Sequence, residues 1–317
     1  MSALARAMDP VFGTGRLVAG ASLARLTTFR TGGPAEWLFE ARSAEELVQA
    51  LRLADSVGVA TTILGGGSNV LVSDAGIRGL VIRTRGGTVR EDGAGRVRAD
   101  AAVTMNGLVR WTVNRGHAGL EAWAGTPGTV GGAVFGNAHF GGRSIGDLVI
   151  DVRLASRAGV VRDAAHDEMR FGYDRSRLQT SGEVLVSAAF RVAPGVPAAL
   201  RAVARESLAY RKRTQPLDAP SAGCVFRNPD PGIDAMPAGI PWSAGALVDR
   251  AGLKGAREGD AVVSPTHGNF IVNEGAATAR DIRRLIDRCR DTVRDRFGVD
   301  LREEIVYLGD FNGDATD

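Results

Sequence analysis

Two short runs that carry almost no side chain constrain this chain more than anything else in it. The first is Gly65-Gly66-Gly67-Ser68-Asn69, set between the apolar segment Thr61–Leu64 and the β-branched segment Val70-Leu71-Val72. The second, about sixty residues on, runs from Gly125 through Pro127, Gly128, Thr129, Gly131 and Gly132 to Asn137 and reads as a small-residue loop. Glycine lets a backbone or ligand approach where a Cβ would collide, and successive N–H groups can face a phosphate. The first run is not a dinucleotide fingerprint. That turn opens a helix whose N-terminus holds the pyrophosphate, and here a strand follows. No Gly-Lys-Ser/Thr occurs, so a Walker loop is excluded. Taken alone, Gly65–Asn69 could be a tight hairpin. Two such runs favour one extended ligand held by main-chain donors from two subdomains, and a pyrophosphate joined to a flat ring system fits that grip.

The rest of the composition is that of a soluble globular chain of 317 residues, enough for two or three packed units. Ten of the 42 glycines lie between Gly116 and Gly146, and the pair Gly141-Gly142 among them has no evident role. The net charge of +3 is spread along the chain without like-charge blocks, so no nucleic-acid partner is expected. Two cysteines exclude a disulfide framework and suit a reducing compartment. No metal is expected. With neither a signal-like leader nor a long apolar stretch, the chain is expected in the cytoplasm, without membrane insertion, as a monomer or weak oligomer.

Periodicity predicts an α+β chain. Ser43 with Glu46 forms a capping box opening an amphipathic helix. Strands are expected near Val97–Val103, Leu148–Leu154, Val160–Val161 and Val184–Val192, with a helix ending near Asn114. Past Pro194 come a helix through Leu200–Tyr210, an irregular stretch from Pro216 to Pro241 and a short helix at Ala244–Ala251. A strand at Phe270–Val272 precedes a long helix capped by Thr278, and a last strand falls at Ile305–Leu308. Boundaries fall near residues 85 and 200.

Three segments in order, Thr28-Phe29-Arg30-Thr31-Gly32-Gly33, Leu64–Val72 and Pro127–Ala133 with Asn137, resemble the UDP-N-acetylenolpyruvoylglucosamine reductase family. The resemblance runs from about Leu23 to Gly309 and is similar to the shorter of the family's two types. It implies a two-part FAD-binding domain of the vanillyl-alcohol-oxidase type plus a smaller α/β substrate-binding domain. The expected division is an N-terminal segment 1–22, FAD subdomains 23–85 and 86–200, a substrate domain 201–310 and a tail 311–317. Non-covalent FAD is implied, lined by Gly65, Gly66, Gly67, Ser68, Asn69, Pro127, Gly128, Thr129, Gly131, Gly132 and Asn137. NADPH is the implied reductant and UDP-N-acetylglucosamine enolpyruvate the implied substrate.

The resemblance also implies a catalytic set. Cys224, in Ser221–Pro229, falls where many members carry a proton-donating Ser. An unperturbed thiol, with a pKa near ~8.5, is mostly protonated at neutral pH and can donate. Cys289 lies on the apolar stripe of the long helix and reads as a buried, inert thiol. Glu304 falls on the family's glutamate, with Glu303 beside it. The family's arginine, in a Phe-x-Tyr-Arg-x-Ser pattern, should meet the substrate carboxylate, but this chain reads Phe171-Gly172-Tyr173-Asp174-Arg175-Ser176. Adjacent residues of an extended segment face opposite ways. Either the backbone shifts to bring in Arg175, or Arg177 substitutes, or the site has changed. The family's Asn-Ala-Gly is Asn137-Ala138-His139 here, with His139 read as a packing or polar contact and, alternatively, as a covalent flavin attachment point. Asn228, Lys254, His267 and Asn269 are the implied substrate contacts, and Arg211-Lys212-Arg213 is either a diphosphate-facing cluster or a solvated helix end. A flavin oxidoreductase acting on another substrate, or a catalytically weak UDP-sugar- or flavin-binding paralogue, are the alternatives.

Overall fold

The computed structural model describes residues 2–311. Met1 and residues 312–317, which make up nearly all of the expected tail, lie outside them. Contacts divide the chain into two units: residues 1–21, 35–66 and 78–210 form the first, and 22–34, 67–77 and 211–317 the second. One division falls between the second and third glycines of the first run; another falls after Tyr210, inside the helix Pro197–Thr214.

Two larger sheets organise the first unit. One has the order Leu17–Ser22, Pro34–Ala41, Ile77–Thr84, Thr61–Leu64, its last pair parallel. The helix Ala44–Ser56 covers it with Leu47, Ala50, Leu51 and Ala54 buried. Ser43 caps this helix as expected, accepting from the Glu46 N–H at 3.2 Å. The Glu46 carboxylate turns instead to the Arg42 N–H (2.9 Å) and the Arg16 guanidinium (2.8 Å). The second sheet is antiparallel, in the order Val161–Ala165, Val149–Ala155, Val184–Arg191, Arg96–Asp100, Val89–Glu91. Seven of the eight residues of Val184–Arg191 are buried. This central strand is covered on both faces, which explains why its sequence is a near-continuous apolar run, interrupted by Ser187, and not an alternation. Trp123, Leu108, Val130, Val134 and Phe190 pack in the core beside it.

The second unit is built on the helix Ala279–Phe297. Thr278 and Asp281 form a full capping box, each side chain accepting from the other's N–H (3.0 and 2.9 Å). Its buried stripe, Ile282, Leu285, Ile286, Cys289 and Val293, meets Leu247, Val248, Val263 and Ile271 in one core. A three-stranded antiparallel sheet (Arg257–Glu258, Ala261–Val263, Ile271–Asn273) lies in this unit. Val306–Leu308 pairs in parallel with Val70–Val72, the segment that follows the first glycine run. Among the described residues no helix is long and apolar enough to cross a membrane.

Candidate functional site

The glycine run is not a hairpin. Its two flanking strands take different partners, Thr61–Leu64 with Ile77–Thr84 and Val70–Val72 with Val306–Leu308. In the first unit the two runs touch through their backbones. A Cβ on Gly66 would stand 2.6 Å from the Gly128 Cα, and one on Gly65 would stand 2.6 Å from the Thr129 Oγ1. Gly66, Pro127 and Gly132 are nonetheless exposed. The second run is also more ordered than a loop. Val130–Phe135 is a short helix, with Thr129 as N-cap accepting from the Gly132 N–H at 3.3 Å. Val130, Ala133 and Val134 anchor it in the core, and this burial overrides the helix-weakening glycines. A bare main-chain surface with small polar ends fits a dinucleotide-type group such as FAD.

Asn137 is 3% exposed and takes a left-handed backbone (φ 48°). Its carboxamide donates to the Gly172 carbonyl (2.8 Å) and accepts from the Gly146 N–H (2.9 Å). It therefore ties the end of the second run to the Phe171–Ser176 segment. That segment corrects an expectation: it is a tight turn, not extended. Gly172 and Arg175 exchange both backbone hydrogen bonds (2.9 and 3.1 Å), and Asp174 sits at φ 49°. Facing alternation does not apply to such a turn. Asp174 is buried while Arg175 is exposed. The Asp174 carboxylate meets His139 Nδ1 at 2.9 Å. Arg177 is engaged elsewhere, on Glu183 (3.1 Å) and Glu168 (3.9 Å).

In the second unit the segment after Cys224 is threaded between two others. Cys224 bridges Phe270, and Phe226 bridges Glu303. The Glu304 N–H donates to the Val225 carbonyl at 2.7 Å, so the segment that follows Cys224 runs alongside the Glu303-Glu304 segment. Asn69 joins them, its carboxamide donating to the Glu304 carbonyl (3.2 Å). Asn269 is buried, with both ends of its amide on the Phe226 backbone (2.9 and 2.7 Å), and so holds this segment in place. Glu303 is distinguished from Glu304 by its partners, Arg290 at 3.0 Å and Arg283 at 3.5 Å on the long helix. Cys224 is half-buried. Cys289 is buried, which pushes its thiol up to about 12.

A cavity of about 170 Å³ in the same unit is lined by Ser243, Gly245, Asp249, Lys254 and His267, among others. Lys254 pairs with Asp249 at 2.8 Å. Burial, with Lys254 adding to it, lowers the His267 pKa, and its Nδ1 accepts from the Asn269 N–H (3.2 Å), so the neutral ring carries its proton on Nε2. Asn228 accepts from the Ala244 N–H at 3.1 Å. Of the Arg211–Arg213 cluster, Lys212 and Arg213 are exposed as a solvated helix end would be, but Arg211 is 6% exposed. Burial lowers its pKa and the charge of Cys224 opposes that shift. Sequence patterning named Arg211 only as part of that cluster and did not connect it with Cys224. The only signal was its place one helical turn after Ser207, which is also buried.

Residues 35–165 match a family model described as FAD binding domain, and residues 215–308 match UDP-N-acetylenolpyruvoylglucosamine reductase, C-terminal domain. The chain is 42% identical over 303 residues to the UDP-N-acetylenolpyruvoylglucosamine reductase of Synechococcus sp. (strain JA-3-3Ab), covering 94% of this chain and 93% of that one. Against the protein of the same name from Gloeobacter violaceus it is 41% identical over 298 residues, covering 93% and 97%. The crystal structure of UDP-N-acetylenolpyruvylglucosamine reductase from Thermus caldophilus aligns with a TM-score of 0.75 at 32% identity, over 92% of this chain and 98% of that one.

Proposed function

Because the chain belongs to the UDP-N-acetylenolpyruvoylglucosamine reductase family, we propose that it reduces UDP-N-acetylglucosamine enolpyruvate to UDP-N-acetylmuramate, with NADPH as reductant and FAD as cofactor. The observation that carries this reading is the backbone pairing of the segment after Cys224 with Glu303-Glu304, which brings the two stretches that bear the thiol and the carboxyl group side by side in one unit.

Gly65, Gly66, Pro127, Gly128, Thr129, Gly131 and Gly132 would hold FAD against bare backbone, as would Gly67, Ser68 and Asn69 of the first run, and Asn137 secures the end of the second. The chemistry that bound FAD supplies is transfer of a hydride from NADPH to C3 of the enol ether. Hydride addition leaves negative charge at C2 and on the carboxylate. The protein's part is to stabilise that charge as it develops. Arg175 supplies a cation and Glu304 an acid. Cys224 donates its S–H proton to C2, completing the lactyl ether, and recovers a proton from solvent. Asn228, Lys254 and His267 contact the UDP-sugar, and Asn269 contributes by holding the Cys224 segment.

The test is direct. Purified protein loaded with FAD should consume NADPH only when the enolpyruvyl substrate is present, one NADPH per UDP-N-acetylmuramate formed. A flavoprotein that NADPH reduces but this substrate cannot reoxidise would point to a different substrate. Protein that binds UDP-sugar without taking up FAD would sink the reductase reading altogether.

A further inference from the structure

The chain departs from the family pattern at two places in the first unit, and the structure brings them together. Asp174 stands where the family has its arginine, and His139 stands where it has a glycine. They are 35 positions apart, yet Asp174 Oδ1 and His139 Nδ1 are 2.9 Å apart. We propose that His139 is a positioning residue that neutralises Asp174, so that the Gly172–Arg175 turn presents the charge of Arg175 to the enolpyruvyl carboxylate unopposed. This rests on the reductase reading above.

Three features support it. First, the Asp174 side chain is 6% exposed, and a carboxylate so far from water is costly unless paired with a cation. The only other charge on the turn is Arg175, which is exposed. Second, the charge count on the turn favours a cationic partner for Asp174. Asp174 and Arg175 alone sum to zero, whereas adding protonated His139 restores the single positive charge that one arginine would supply.

Third, the geometry is held from both sides. His139–Phe140 pairs with Arg143–Ser144 across Gly141-Gly142, both at positive φ (59° and 77°), a two-residue turn that glycine pairs favour. That gives the previously unexplained glycine pair a purpose: it folds the His139 hairpin. Asn137 ties the base of the hairpin to the Gly172 carbonyl, and the Tyr173 ring lies 4.9 Å from the imidazole. The His139 side chain is about one-third exposed (32%), as expected for a ring at the rim of a site and not in the core.

The experiment compares wild type, His139→Gln and the double variant His139→Gln/Asp174→Asn, each loaded with FAD. Affinity for the enolpyruvyl substrate is measured by calorimetry, flavin reduction by NADPH by rapid mixing, and folding by thermal unfolding. The glutamine variant should bind substrate about tenfold to a hundredfold more weakly, the scale expected when one positive charge is lost near a carboxylate. KM should rise more than kcat falls, and flavin reduction by NADPH should stay within about twofold. Removing the carboxylate in the double variant should recover most of the lost affinity. Unaltered substrate affinity in His139→Gln overturns the proposal, as does a change in unfolding temperature alone. Failure of the double variant to recover also overturns it, because His139 would then act on the substrate without Asp174. If wild type itself does not turn over the substrate, it is the reductase reading that fails.

Discussion

Replacing Gly132 by Ala separates the fold from the cofactor. Gly132 lies in the first turn of the helix Val130–Phe135, its φ is not positive, and an added Cβ meets nothing nearer than the Thr129 Oγ1 at 3.9 Å. The protein alone therefore has room for the methyl. Alanine is favoured over glycine in a helix by up to about 1 kcal/mol, so the unfolding midpoint of the FAD-free protein should hold or rise by ~2 °C. A cofactor lying against this backbone would instead have to move aside, at about 1–3 kcal/mol, or roughly five- to 150-fold in Kd. Gly66→Ala is the counter-case. Its Cβ would be 2.6 Å from the Gly128 Cα, where ordinary contact begins at 3.4 Å, and the obstacle is backbone that cannot rotate away. That variant should lose both stability, by about 1–3 kcal/mol, and FAD affinity. Flavin is removed, unfolding is followed by differential scanning fluorimetry, and FAD is titrated back by quenching of its fluorescence. If Gly132→Ala binds FAD within twofold of wild type at undiminished stability, this turn does not line the cofactor. If Gly66→Ala is as stable as wild type, the backbone contact between the two runs is wrong.

Three further outcomes are expected. Cys224→Ala should leave flavin reduction by NADPH nearly intact and slow reoxidation by the enolpyruvyl substrate by about 10²–10⁴, while Cys224→Ser should keep most of the rate; equal loss in both half-reactions removes Cys224 from the role of proton donor. A thiol reagent at pH 8 should titrate Cys224 in the native protein and reach Cys289 only on unfolding, since burial holds that thiol near 12; two fast-reacting native thiols contradict the packing of the long helix. The lowered His267 pKa means that the unfolded chain takes up its proton first as pH falls, so this residue's contribution to stability is complete above about 6.5 and drains away below it. Unfolding midpoints between pH 7 and 5 should fall less steeply in His267→Gln, and an identical slope rejects the assignment.

Local signals made most of the elements legible. The Thr278 cap, the apolar stripe through Cys289 and the run of buried residues at Val184–Arg191 are each encoded within one segment and appear where expected. Val130–Phe135 was not legible, because its propensities oppose a helix and only the core contacts of Val130, Ala133 and Val134 stabilise one. The Phe171–Ser176 turn was hidden for a related reason. Nothing in Tyr173-Asp174 demands a left-handed residue, and the turn is closed by bonds between Gly172 and Arg175 that the sequence does not announce.

By itself the sequence determined the chemistry on offer: two bare glycine runs, a thiol in a turn-rich loop, a pair of adjacent glutamates, and an aspartate where an arginine was due. Choosing among these fell to tertiary structure. The strand partners on either side of Gly65–Asn69 ruled out the hairpin, Arg283 and Arg290 drew Glu303 to the long helix, and Asp174 turned inward onto His139. The physical reason is common to all three. Residue type is local information, whereas the environment that selects one carboxylate over its neighbour, or pairs a buried charge, is assembled from segments tens to hundreds of positions apart.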